Sequence, residues 1–188
     1  MAQHVCPWWL GYLLASPLRR LWQDPDKLLA PYVREGMTLL EPGPGIGFFT
    51  PALARLGGPS GRVVAVDIQP RMLASLERRL RRAGLAGRVE CRLAAPDSLA
   101  IPDLAGTVDF VLAFALVHEL PSASGFFREL FQALKPGGAI LLAEPPGHVT
   151  AATFDQELEA ARAAGFAVTG RPSISRTHSA LLGKPVEP

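Results

Sequence analysis

Several groups of residues in this 188-residue chain have types and spacing that suit chemistry. The first is the stretch LLEPGPGIGFFT, in which Glu41 stands just before Gly43, Pro44, Gly45 and Gly47. Glycines at such a turn let the backbone reverse tightly and approach a ligand without a Cβ in the way. Asp67 follows 20 residues after Gly47, at a spacing where a carboxylate can accept both hydrogen bonds of a ribose diol. The glycine spacing is GxGxG, and Phe48 stands where the dinucleotide fingerprint GxGxxG needs its third glycine. A nucleoside ligand without a pyrophosphate suits this loop better than a dinucleotide. A second group is His118 and His148, residues able to orient or deprotonate a substrate, with Glu144 nearby in the sequence. A third lies in HVCPWWLGYLL, where His4 and Cys6 precede Trp8, Trp9 and Tyr12.

These residues need a scaffold, and the hydropathy pattern supplies one. Residues 37–41, 62–67, 89–93, 108–115 and 139–144 are short, largely apolar runs bounded by turn residues or charges, as strands buried on both faces read. Between them TPALARLG, RMLASLERRLRRAG and SGFFRELFQALKPGG carry apolar residues at helical spacing, and Lys135-Pro136-Gly137-Gly138 is expected to stop the third helix. A further helix is expected over residues 154–164. FAVTGRP and SRTHSALLGK then lie too close for a helical crossover and predict an antiparallel hairpin. The expected fold is α/β: a doubly wound, seven-stranded, mostly parallel sheet whose last strand is antiparallel. Cys6-Pro7, Ser16-Pro17 and Asp24-Pro25 read as three helix starts, so residues 1–35 form a helical extension and residues 36–188 the main domain.

Composition removes several classes. The chain is 48% hydrophobic and 19% charged, the range of a globular protein. Its densest basic run, ERRLRR, interleaves leucines without aromatics and reads as a solvated helix face, so no nucleic-acid partner is expected. The apolar run from Trp8 to Leu14 is short of the ~20 residues of a membrane span, and MAQHVCP lacks a positive leader. Two cysteines outside any CxxC make no disulfide framework, which favours a reducing, cytoplasmic setting.

LLEPGPGIG, VVAVDIQPRML, VDFVLAFALVHEL and LKPGGAILLAEP resemble the class I S-adenosylmethionine-dependent methyltransferases, in the branch acting on small molecules. The resemblance covers residues 36–184. It implies S-adenosyl-L-methionine as cofactor and S-adenosyl-L-homocysteine as product. Gly43, Pro44, Gly45 and Gly47 would lie along the methionine part, with Glu41 orienting its ammonium. Asp67 would hold the ribose, Ile68 would pack on the adenine, and Phe114 would line the site. The family's usual acid after the third strand is replaced here by Ala95, with Asp97 two residues on.

Methyl transfer from a sulfonium is an in-line displacement that needs alignment more than acid or base. His118 and His148 are the candidate catalytic residues, and Glu144 a candidate for the substrate wall. The acceptor is expected to be small, and its cover to come from the N-terminal segment or from a second copy of the chain. His4, Cys6, Trp8, Trp9 and Tyr12 therefore carry three readings: packing, a lid over the substrate, or a metal site on His4 and Cys6 that borrows other histidines. A cofactor-binding module without catalysis, and a nicotinamide-dependent oxidoreductase, are the alternatives to a methyltransferase.

Overall fold

The computed structural model describes residues 23–186, so the helix starts at Pro7 and Pro17 and all five N-terminal candidates lie outside the described residues. The third start is present. Helix α1 (Pro25–Leu29) opens with Pro25 in its first turn, and the Asp24 carboxylate accepts from the Asp26 and Lys27 N–H groups.

Strands and helices then alternate: β1 (Thr38–Pro42), α2 (Thr50–Leu56), β2 (Arg62–Asp67), α3 (Pro70–Arg82), β3 (Val89–Leu93), β4 (Val108–Phe114), α4 (Ala123–Ala133), β5 (Leu134–Glu144), α5 (Ala151–Ala163), β6 (Ala167–Gly170) and β7 (His178–Gly183). The sheet order is β3-β2-β1-β4-β5-β7-β6. β1 to β5 are parallel, and β7 runs antiparallel to both β5 and β6. The expected seven strands, crossovers and closing hairpin are all present.

Alternation along the strands gives the sheet two apolar faces. Leu40, Val64, Val66 and Val111 face one way and pack with Phe127, Leu130 and Leu158 of α4 and α5. Leu39, Val63, Phe110 and Leu141 face the other and pack with Leu29, Leu53, Leu76 and Leu80 of α1, α2 and α3. Helices on both faces leave the two ends of the strands as the places where polar groups can gather.

One boundary differs from the expectation. β5 begins at Leu134 and not at Ala139, so Lys135-Pro136-Gly137-Gly138 belongs to the strand. The register slips there, with Val108 opposite Leu134 but Phe110 opposite Ala139. A bulge tolerates the missing N–H of Pro136. A Cβ on Gly138 would sit 2.7 Å from Leu134 Cδ2, which is why the bulge needs glycine. Lys184 closes the junction, its ammonium donating to the carbonyls of Phe131 (2.7 Å) and Leu134 (2.8 Å). The sequence reads as a helix stop because the helix does stop; the same residues also begin the strand.

Candidate active site

β1 and β4 are neighbours, but the connection after β1 leads to β2 on one side while β4 continues to β5 on the other. A crevice opens at the carboxyl ends of strands that diverge in this way. The residues after β1 and β4, together with those after β2 and β5, are the ones that border it.

On the β1–β2 side, Gly43, Gly45 and Gly47 all have left-handed backbone, with φ of +67°, +56° and +85°. The three do different things. A Cβ on Gly43 would lie 2.8 Å from Leu116 Cδ1 and one on Gly47 2.4 Å from Leu76 Cδ1, whereas one on Gly45 would meet nothing within 4 Å among the described residues. Gly43 and Gly47 are therefore required by packing, and Gly45 presents bare backbone to the crevice. Pro44 between them is buried, and the loop is pinned by Gly43 N–H donating to Val66 O at 2.8 Å.

Glu41 is 4% exposed, and its Oε2 has no hydrogen-bond partner among the described residues, nor does the buried Oγ1 of Thr50. Burial pushes the Glu41 carboxyl up to about 7; the nearby Thr50 hydroxyl, which is outside hydrogen-bonding geometry with it, opposes the shift, and the Asp67 charge adds to it. An orphaned acid of this kind is the partner a cation would need. Asp67 is 8% exposed and better served: Oδ1 accepts from Gln69 N–H (2.8 Å) and Oδ2 from Gly45 N–H (3.2 Å). Burial raises its pKa too, against the lowering effect of those two N–H groups, with the Glu119 charge adding to the rise. Asp67 thus ties the glycine loop to the end of β2. Ile68, beside it, is a large apolar side chain left 41% exposed.

Ala95 sits in a tight two-residue bridge with Ser98, while Ala94 N–H donates to Asp67 O at 3.0 Å, which brings this turn alongside the acid. Asp97 is exposed, and the Ser98 hydroxyl is taken by Glu129 at 3.0 Å. Phe114 ends β4 and packs at 4.6 Å on Phe49, which precedes α2.

On the β4–β5 side, His118 lies in a single 3-10 turn (Val117–Glu119). Its Nδ1 is 2.5 Å from Glu144 Oε2, and its ring stacks on that of His148 with centroids 5.6 Å apart and planes 11° apart. The hydrogen bond to Glu144 holds the His118 imidazolium above the usual histidine value, against the effect of burial. His148 itself is exposed. Glu144, expected in the substrate wall, is instead 0% exposed, and its other oxygen accepts from the Leu116 (3.1 Å) and Val117 (2.7 Å) N–H groups. It lies beneath the site, because the side chain at the end of β5 turns under the loop that follows β4.

Two further features carried no obvious sequence signal. Ala115 has φ of +53°, a left-handed conformation that costs a residue with a Cβ about 1 kcal/mol. Glu157 lies in the buried stripe of α5 with Phe154, Leu158 and Ala161, and its Oε2 has no partner among the described residues. Burial pushes Glu157 up to about 7, the Glu144 charge adding and His118 opposing. A glutamate at helical spacing within that apolar stripe was the one available clue. Cys91 is no nucleophile, since burial pushes its thiol up to about 11. Among the described residues, no group of three or more His, Cys, Asp or Glu is arranged to hold a metal ion. Nor is any helix among them long and apolar enough to cross a membrane.

Comparison with known proteins gives a consistent picture. Residues 40–142 match the family model described as a methyltransferase domain. The ubiquinone/menaquinone biosynthesis C-methyltransferase UbiE of Pasteurella multocida is 33% identical over 132 residues, covering 70% of this chain and 48% of that protein. UbiE of an Enterobacter species is 32% identical over 132 residues, again 70% of this chain, and 51% of its own length. The chain thus spans about half the length of the curated relatives it matches. Among solved structures, an S-adenosylmethionine-dependent methyltransferase from Aquifex aeolicus superposes with a TM-score of 0.84 at 26% identity, covering 95% of this chain and 98% of that one. The [4+2]-cyclase SpnF superposes at 0.73 with 19% identity, over 87% of this chain and 82% of that one, a likeness of fold alone.

Proposed function

The chain belongs to the class I S-adenosylmethionine-dependent methyltransferases, and from that premise we propose that it binds S-adenosylmethionine at the glycine loop and methylates a small, flat acceptor beside His118. When bound, the cofactor supplies a methyl group on a sulfonium. The observation that carries the reading is the buried Glu41 Oε2, unpartnered among the described residues, at the foot of a loop whose Gly45 faces open space.

Each residue has a task that follows from its surroundings. Glu41 receives an ammonium, which offsets the cost of burying its charge. Asp67 accepts from the ribose hydroxyls with the lone pairs that Gln69 and Gly45 leave over. Ile68 offers an exposed apolar side chain to the adenine. Ala95 and its turn contribute backbone groups to the adenine. Gly45 lets the methionine part approach, and Phe114 walls the site. His118 has Nδ1 engaged by Glu144, so Nε2 is the nitrogen that takes a proton from an acceptor that carries one. His148, stacked on it, orients the acceptor.

The curated relatives are named for C-methylation in quinone biosynthesis, which makes a phenol or quinol the first acceptor to try. The same reading gives a cytoplasmic enzyme with no nucleic-acid partner, its substrate covered by the N-terminal segment or by a second copy in a homodimer. The test is calorimetry with S-adenosylhomocysteine and with NAD, followed by turnover on a panel of phenols, quinols and thiols. Tight binding of the former, none of NAD, and transfer to one panel member are expected. Binding of NAD alone would contradict the reading, and binding without any transfer would favour a non-catalytic module.

A further inference from the structure

Glu144 is a buried acid with every contact made to protein, and those contacts lead in two directions. Oε2 meets His118 Nδ1 at 2.5 Å, and Oε1 accepts from the Leu116 and Val117 N–H groups at 3.1 and 2.7 Å. The second set holds a turn that begins at Ala115, whose φ is +53° and whose N–H donates to Ala143 O at 2.7 Å. A left-handed alanine persists only where its surroundings over-determine it. Leu116, the next residue, presses on the cofactor loop so closely that a Cβ on Gly43 would be 2.8 Å from its Cδ1.

We propose that Glu144 is a positioning residue joining the two halves of the site: one oxygen orients His118 with Nε2 as the exchanging nitrogen, and the other holds the Ala115 turn that seats Leu116 against the glycine loop. The proposal deepens the methyltransferase reading and rests on it. In proton transfer the His118 Nδ1–H bond stays intact and donates to Glu144. The Nε2 lone pair takes the acceptor's proton; the electron pair left on the acceptor would attack the methyl carbon as the methyl–sulfur bond breaks, its electrons leaving on the neutral thioether of S-adenosylhomocysteine. Glu144 supplies the compensating charge and changes no covalent bond.

Among the described residues, few other titratable groups surround the pair. Glu119 Oε1 is 3.9 Å from His118 Nε2, too long for a hydrogen bond, and His148 stacks on the ring from the loop after β5. Glu157 approaches from α5. From β7, His178 stands opposite Glu144 in the strand register and stacks on Phe154 at 5.7 Å. Among these, Glu144 alone makes a direct hydrogen bond to the imidazole.

The experiment compares wild type, Glu144→Gln and Leu116→Ala by calorimetry with S-adenosylhomocysteine and by NMR titration of the His118 ring. Glu144→Gln is expected to lower the His118 midpoint and to weaken binding about tenfold. Leu116→Ala is expected to weaken binding by a similar factor and leave the midpoint in place, a split that general loss of structure would not produce. Should Glu144→Gln not fold, Leu116→Ala still tests the loop contact, and a wild-type His118 midpoint at or below that of free histidine overturns the imidazole contact. Wild type that binds no S-adenosylhomocysteine overturns the functional reading. Wild type that binds it, with undiminished affinity in both variants, overturns only the coupling.

Discussion

Two buried glutamates stand at the carboxyl ends of strands that flank β4 and are treated in opposite ways. Glu41, near the end of β1, has an oxygen with no partner among the described residues, and burial pushes its carboxyl up to about 7. Glu144, the last residue of β5, has both oxygens engaged by His118 and two backbone N–H groups. A binding group must keep something unsatisfied until its ligand arrives, whereas a positioning group must already be satisfied. On the proposed reading, the side of the crevice that takes the cofactor is built on the first plan and the side that takes the acceptor on the second.

The contrast can be broken first at the glycines. Gly45→Val should abolish measurable binding of S-adenosylhomocysteine, at least a hundredfold loss, while the fold survives, because its Cβ meets no described residue within 4 Å and the backbone strain at φ +56° costs about 1–2 kcal/mol. Gly47→Val should fail to fold, since its Cβ would meet Leu76 at 2.4 Å. Calorimetry and thermal melts separate the two. If Gly45→Val binds normally, the open face of the loop is not a ligand face.

Next in size is the cost of burying the Glu41 charge. Its folded pKa of about 7 lies above its ordinary 4.5, so between those values the folded state holds more protons than the unfolded one. The contribution of this group to stability without ligand is therefore fully present below pH 4.5 and is lost as pH rises through about 7, by roughly 3 kcal/mol. Glu157, also raised to about 7, acts in the same direction. Glu41→Gln should flatten the decline and raise the melting temperature at pH 7.5 while weakening cofactor binding. A variant less stable than wild type at pH 7.5 would mean that Glu41 is partnered when charged.

Asp67→Ala should weaken binding by roughly 1–3 kcal/mol, since ribose hydroxyls lose their acceptors; unchanged affinity would remove the ribose assignment. The smallest effect is expected from His118. Its pKa is raised by Glu144, so the stabilisation from that pair is complete below the unfolded value near 6.5 and is lost as pH rises through the folded value. His118→Asn should abolish this dependence, read as a melting-temperature difference of a few degrees between pH 6 and pH 9.

The contrast also marks what the sequence could tell. The positions of Glu41, the glycines and Asp67 were legible because the apolar runs place both acids at strand ends and a tight turn between strand and helix needs glycine. The seven strands were legible from apolar runs, and the antiparallel end from a connection too short to cross over. The direction in which Glu144 turns was not, because its position at a strand end places the Cα and leaves open whether the side chain faces ligand or loop. The start of β5 was hidden by a segment that both ends a helix and forms a bulge. The stacking of His118 on His148 depends on two loops meeting, which periodicity cannot report. Glu157 was concealed by its helix, where one acid in an apolar stripe looks like a surface residue.

The most direct measurement is a calorimetric titration of S-adenosylhomocysteine at pH 7 in two buffers of different ionisation enthalpy, on wild type and on Glu41→Gln. The account predicts tight binding by wild type with measurable proton release, because an arriving ammonium drives Glu41, whose carboxyl burial has raised, to its charged form, and weaker binding without that release by the variant. No binding by wild type, or identical affinity and proton release in the two proteins, would contradict it.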